Sequence, residues 1–248
     1  MKIEGLIIHL TRAQSRRRQV DELLPSLPVP ARILEAVDGQ ALSAAELTAV
    51  YRRNLHEPHY PFELRVGEIA CFLSHRKAWK EIVERDLDAA LVLEDDVGIV
   101  PDVFDAAFKL AVAACDGEPA YIQFGLRPLK GRAETLTRDG DVRIVRPENV
   151  MLGTVGQLVT RKAAEILLEN TRMFDRPIDV FLQMHWLTGV RPIAAIPSGI
   201  IDRTNEIGGT TIHSSKTMVE RLSREWGRFV YRQRVRWLSH LHRKDGMA

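Results

Sequence analysis

The chain is poor in the features that would place it in a membrane or hold it together by cross-links. Of 248 residues only two are cysteines, Cys71 and Cys115, and they lack CxxC or metal-ligand spacing. That excludes a disulfide framework and leaves two buried core thiols as the expectation. No apolar run approaches the roughly 18 residues that a membrane span requires. There is no internal repeat, and the opening "MKIEGLIIHLTRAQSRRRQ" lacks a signal-peptide layout, because arginines follow its short apolar run where a small-residue cleavage site would stand. A cytoplasmic protein is expected. What is present is a globular composition, 45% hydrophobic and 27% charged, in a chain long enough to bury an ordinary core.

There is also little net charge, +2, but it is unevenly spread. From Ser214 onward nine Lys and Arg face three acids, leaving 26 bases against 30 acids in the first 213 residues. An acidic-leaning body over 1–213 and a basic tail over 214–248 are therefore the expected domains, with different electrostatic partners.

Strand and helix signals alternate through the body. "IEGLIIHL" is a continuous apolar run of strand length, "QSRRRQVDELLPSL" a short helix, and "ARILEAVDG" a strand closing on an Asp-Gly turn. Ser43, with Glu46 three residues on, reads as a capping box. Residues 67 to 86 carry an apolar stripe at helical spacing. "AALVL" is a strand, and Pro101 opens a further helix. "AYIQFG" and "VMLGTVGQLVT" are strand-like, and "RKAAEILLEN" and "DVFLQMHWLT" helical. "VRPIAAIP" is a late strand before a polar segment, 202–213, that holds Gly208, Gly209 and His213. Segments 51–64 and 126–149 have no clear period; the second reads as a loop or β-ribbon. Such alternation predicts an α/β protein with a mostly parallel central sheet.

The strand at residue 90 runs straight into Glu94, Asp95 and Asp96. In an open α/β sheet ligands bind at the carboxyl ends of strands, and three adjacent carboxylates are best relieved by a hard cation such as Mg²⁺ or Mn²⁺. Alternation along an extended chain predicts Glu94 and Asp96 on one side and Asp95 on the other. The plain alternative is a solvated acidic loop. On the long helix Glu68 and His75 fall about 20° apart, with Trp79 nearby, and together make a candidate substrate wall. Glu68 reads equally well as a first-turn acid facing the helix dipole, and a lone His on a helix flank as a structural residue.

The stretch "GEIACFLSHRKAWKEIVERDLDAALVLEDDV" closely resembles glycosyltransferase family 25, the lipopolysaccharide and lipooligosaccharide sugar transferases with collagen galactosyltransferase relatives. "IIHLTRAQSRRRQ", "EAVDG", "GTVGQLVTRKAAEILL" and "RPIDVF" resemble further family blocks in the expected order, covering most of residues 3 to 213. One departure is His9, where relatives commonly carry Asn. The resemblance implies a nucleotide-diphospho-sugar transferase (GT-A-like, Rossmann-related) fold and transfer of galactose or glucose from a UDP-sugar with inversion. It implies Asp96 as metal ligand, with Glu94 or Asp95 sharing the metal or contacting ribose, and Ser74 and His75 as donor contacts.

It also makes Asp179, in "RPIDVF", the candidate base; the alternative for Asp179 is a helix N-cap after Pro177. Arg12 and Arg17 follow the first strand, where a donor would approach, and their planar forks suit phosphate. Asp38 either holds the uridine or shapes its turn. Acceptor specificity is expected in segments 51–64 and 126–149. In the tail, apolar residues interleaved with arginines predict a basic amphipathic helix, lying on an anionic membrane beside a glycolipid acceptor or packing on the acidic body. Nucleic acid is not an expected partner. A metal-dependent phosphohydrolase and a silent nucleotide-sugar or membrane-binding module are the competing functions.

Overall fold

The opening apolar run forms β1 (Ile3–His9), and the arginine-rich stretch after it forms α1 (Gln14–Leu23). In chain order there follow β2 (Ala31–Glu35), α2 (Ala44–Val50), α3 (Val66–Glu84), β3 (Ala89–Glu94), β4 (Val97–Ile99), α4 (Pro101–Ala113) and β5 (Tyr121–Gln123). Next come β6 (Ala133–Asp139), β7 (Val142–Pro147), β8 (Gly156–Thr160), α5 (Arg161–Asn170), α6 (Ile178–Leu182), α7 (His185–Thr188), β9 (Ile193–Ile196), β10 (Ile200–Asp202) and α8 (Met218–Leu241). The computed structural model describes residues 1–204 and 218–242. Gly208, Gly209 and His213 lie outside the described residues.

Local signals act where they were expected. The Ser43 hydroxyl accepts the Glu46 N–H at 3.2 Å, while the Glu46 carboxylate accepts the Ser43 N–H at 2.8 Å, so two orphan donors at the start of α2 are satisfied reciprocally. Segment 126–149 is in part the β6–β7 ribbon. Two features differ from the sequence pattern. The single helix expected over 179–188 is broken into α6 and α7, the second ended by Gly189 at φ +73°. β4 and β10, three residues each, pair antiparallel as a small second sheet; such short strands carry no readable period.

The main sheet has the order β2-β1-β3-β8-β5-β9-β7-β6. β1 runs parallel to β2 and β3, and β5 parallel to β9, while β8 and β7 run against their neighbours. It is thus a mostly parallel sheet with two reversed strands. β3 lies inside it, with Ala89 through Leu93 wholly buried. Ala90 and Val92 pack into the layer that contains Phe72, Trp79 and Leu167. Ala89, Leu91 and Leu93 pack on the other face with Val20, Phe104 and Phe108. Both faces being covered explains why β3 reads as an unbroken apolar run. Each buried leucine there contributes about 1.5–3 kcal/mol, and a charge at Leu91 would have no partner.

α8 packs on the body through one face, on which Tyr231, Val235 and Ser239 recur every four residues and are buried. It is held by a buried ion pair: the Asp175 and Arg176 side chains are both 0% exposed. Arg176 Nη1 donates to the Tyr231 hydroxyl at 2.6 Å, and Nη2 to the His56 carbonyl at 2.8 Å. Asp175 Oδ2 accepts the Leu55 and His56 N–H groups at 2.9 and 3.0 Å. Among the described residues no helix is long and apolar enough to cross a membrane.

Candidate active site

The pleat of β3 decides where its acidic end points. Glu94 shares the face of Ala90 and Val92 and so turns toward α3, whereas Asp95 shares that of Leu91 and Leu93 and turns toward α1. Asp95 is buried. Its Oδ2 lies 2.8 Å from His9 Nδ1 at the end of β1, and its Oδ1 accepts from Arg16 Nη1 at 2.6 Å. The expected alternation fails at the third acid. The strand stops at Glu94 and the chain turns at Asp95 and Asp96, bringing Asp96 Oδ2 to 3.3 Å from the same Arg16 nitrogen.

Glu94 Oε1 accepts from the Thr154 hydroxyl at 2.8 Å and lies 3.3 Å from His75 Nε2. On the far side of the imidazole the Gln157 amide donates to Nδ1 at 3.2 Å, which leaves Nε2–H to donate to Glu94. Burial by itself would raise the Glu94 carboxyl, but the hydrogen bond from His75 and the charge that ring can carry outweigh it, with help from Thr154 and Arg16. The net effect holds Glu94 below its ordinary value.

Asp96 is the member left out of balance. Burial first, then the neighbouring Glu94 charge, push its pKa up to about 6, against the lowering effect of Arg16. Glu94, Asp95 and Asp96 line a cavity of about 640 Å³ with Arg12, Arg16 and His75. A carboxylate raised this far by burial and by a like charge beside it sits unfavourably as an anion, a condition that a divalent cation relieves. Because Asp95 is already taken by His9 and Arg16, Glu94 and Asp96 are the oxygens that fit such an ion. Cys71 also opens onto this cavity, with a sulfur that lies within 4.8 Å of the nearest His75 and Glu94 ligand atoms. A thiolate is a soft ligand and suits a hard cation poorly.

Asp179 sits in the first turn of α6, with Pro177 as the cap residue, so it is not the N-cap. Its Oδ2 accepts the Gly153 N–H at 3.2 Å and its Oδ1 the Val180 N–H at 2.8 Å. Burial is the larger influence and, with the Glu94 charge adding to it, raises its pKa despite those two bonds. Gly153 has φ +100°, a conformation that other residues adopt only with strain. Consecutive residues, Gly153 and Thr154, thus hold Asp179 and Glu94, and the loop they belong to is tied down by Gln123, which donates to the Met151 and Gly153 carbonyls at 3.1 and 3.2 Å.

The other residues singled out in the sequence divide. Arg12 lines the cavity and pairs with Asp38 at 2.8 Å on its exposed rim. Ser74 lines it too, but its hydroxyl joins α3 to the segment after β2, accepting the Val37 N–H at 2.9 Å and donating to the Ala70 carbonyl at 2.8 Å. Arg17 turns outward and pairs with Asp21 one turn along α1. Glu68 accepts the Arg65 N–H at 2.8 Å, which is the helix-start role. Trp79 is 0% exposed in the core and forms no substrate wall. Cys71 is exposed, contrary to the expected buried thiol. Arg16, Thr154 and Gln157 were missed. Three successive arginines gave no sign of which one faces the sheet, though at about 100° per residue only one of them can.

Comparison with known proteins gives the family. The sequence pattern of glycosyltransferase family 25 (LPS biosynthesis protein) matches residues 2–182. The chain belongs to glycosyltransferase family 25. It is 40% identical over 193 residues to human procollagen galactosyltransferase 2, a match that covers 72% of this chain and 29% of that protein. It is 34% identical over 97 residues to the mouse inactive glycosyltransferase 25 family member 3, covering 38% of this chain and 16% of that one. The chain thus spans less than a third of the curated relatives it matches. A solved glycosyltransferase involved in glycosylation of the major capsid of PBCV-1 aligns over 67% of this chain and 63% of its own at 14% identity and a TM-score of 0.33, too remote to carry an argument.

Proposed function

We propose that this chain has the nucleotide-diphospho-sugar transferase (GT-A-like) fold and transfers a hexose, galactose or glucose, from a UDP-sugar to a hydroxyl of a lipopolysaccharide or related glycan, with inversion. One observation carries the reading: Gly153 and Thr154, adjacent in the chain, hold Asp179 and Glu94, so a candidate base stands beside the acidic strand end. The name of the human relative supports galactose, and the family description supports a lipopolysaccharide acceptor.

In this mechanism the acceptor hydroxyl gives its proton to Asp179, whose raised pKa brings it nearer to neutrality and so suits a general base. The freed oxygen attacks the anomeric carbon, the bond from that carbon to the diphosphate oxygen breaks, and the electron pair leaves with UDP. Glu94 and Asp96 would hold a divalent ion, Mn²⁺ or Mg²⁺, which would supply countercharge to the departing diphosphate. Arg12 and Arg16 contribute positive charge at the same cavity, and His9 and Arg16 keep Asp95 from adding to its negative field. The relative named inactive keeps a silent nucleotide-sugar module as the second reading. Calorimetric titration with a panel of UDP-sugars, with and without Mn²⁺, tests the first: metal-dependent binding of one sugar is expected, and no binding under any condition would discard it.

We further propose that α8 contacts an anionic membrane surface. Trp226, Val230, Trp237 and Leu241 fall within about 60° of one another on the helix, opposite the face on the body. The two tryptophans are 69% and 63% exposed. Arg234 flanks this stripe on one side and Arg236 on the other, both exposed; aromatic rings at headgroup depth between basic flanks suit anionic lipid. Co-sedimentation with phosphatidylglycerol vesicles but not with phosphatidylcholine vesicles is expected, and equal recovery with both would refute it.

A further inference from the structure

A second opening shares no lining residue with the acidic cavity. It is a groove of about 340 Å³ between the loop after β5, the loop before β8 and α8. Its lining includes Arg127, Lys130, Arg232 and Arg236 and no carboxylate, together with the polar side chains of Asn149 and Gln183. All four cations are exposed. Among the described residues none of the four is paired with an acid, in a molecule where Arg12, Arg16, Arg17, Arg18, Arg32, Arg85 and others all are. Four cations facing one concavity repel one another, and this arrangement is best relieved by an anion with several oxygens, for which arginine's planar fork is suited.

The groove leads to the chemistry through covalent neighbours. Met151 and Leu152 line it; Gly153 donates to Asp179, and Thr154 donates to Glu94. Four consecutive residues therefore run from the groove to the cavity. Gln183, which also lines the groove and donates to the Val150 carbonyl at 2.8 Å, lies one helical turn beyond Asp179. The groove is thus joined by a short run of chain to the residues that hold Asp179 and Glu94, where the proposed transfer takes place.

We infer that this groove is the acceptor subsite and that it takes an anionic glycan, one carrying phosphate groups, with Arg232 and Arg236 of α8 as anion contacts. The inference rests on the proposed transferase reading and names its acceptor class. α8 then does more than pack or touch a membrane, because it supplies one wall of the acceptor site.

The test titrates the whole protein with a glucosamine disaccharide bearing two phosphate monoesters, with the same disaccharide dephosphorylated, and with a single-stranded oligonucleotide. The phosphorylated sugar is expected to bind at least about 10-fold more tightly than the neutral one, as charge-assisted contacts require, and to weaken as salt is raised. The double variant Arg232→Gln with Arg236→Gln should lose at least about 10-fold of that binding while its UDP-sugar binding stays unchanged, the latter also showing that it is folded. Equal affinity for the two disaccharides, full retention by the double variant, or tighter binding of the oligonucleotide would each overturn the inference. If the phosphorylated sugar binds and no UDP-sugar does, the groove stands and the transferase reading falls; the reverse result removes the groove alone.

Discussion

Asp175 and Asp96 are both aspartates drawn away from water beside an arginine, and the protein treats them oppositely. Around Asp175 every demand is met: the Arg176 guanidinium, two backbone N–H groups and His56 all bond to it. Burial would raise its carboxyl, but those bonds hold it well below the usual carboxylate range. Around Asp96 one arginine nitrogen is shared with Asp95, and Glu94 adds a like charge, so the carboxyl rises to about 6. A charge balanced within the fold serves the fold, here by fastening the 52–65 segment, α6 and α8. A charge left unbalanced at a cavity marks a candidate functional site.

The widest break in this comparison should come from Asp175→Ala. It strands a buried guanidinium and two buried N–H groups, so a loss of about 3–5 kcal/mol is expected in denaturant unfolding. Since the folded-state pKa of Asp175 lies below the unfolded value of about 3.9, its contribution is present above that value and is lost as pH falls below it. A variant that unfolds like the wild type at neutral pH would mean the network is not structural.

Asp179→Asn separates chemistry from packing. Transfer should fall by about 100-fold or more, while UDP-sugar binding stays near wild type and stability falls by only about 1 kcal/mol, because Asn can still accept one of the two backbone N–H groups, Gly153 or Val180. Parallel losses in stability and activity would make Asp179 a structural residue.

Asp96→Asn sharpens the contrast most finely, because it should stabilise. At pH 8 the gain is expected to be on the order of 1–3 kcal/mol, from removing a charge whose folded-state pKa is raised. That penalty exists only above the unfolded value, so the gain should fade as pH drops from about 6 to about 4. Metal-dependent UDP-sugar binding should be lost at the same time. If the variant is no more stable at pH 8, Asp96 carries no surplus charge.

Much of this was legible in the residues. The apolar run before Glu94 announced a strand, Ser43 and Glu46 their capping box, and the ordered family blocks singled out Asp179 as a candidate. Other parts were not. Which of Arg16, Arg17 and Arg18 meets the acids depends on the rotation of α1 against the sheet, which packing sets. Trp79 lies on the same helix as His75, yet the apolar layer claims it entirely. The turn at Asp95 and Asp96 depends on where β3 loses its partners, and Arg203, whose N–H donates to the Asp96 carbonyl at 2.9 Å, is more than a hundred residues away. The 150–154 loop has no period at all; Gln123 and a positive φ at Gly153 give it its shape.

By itself, then, the sequence determined most of the order of strands and helices, the acidic strand end and the basic helix, because periodicity, caps and charge runs are local properties of a chain. Only the tertiary structure decided that Arg16 neutralises Asp95, that Asp96 is left in surplus, that Asp179 and Glu94 are held by neighbouring residues, and that α8 walls a cationic groove. Those relations join residues far apart in the chain, and their energies depend on distances and burial that do not exist until the sheet and its two helical layers have closed.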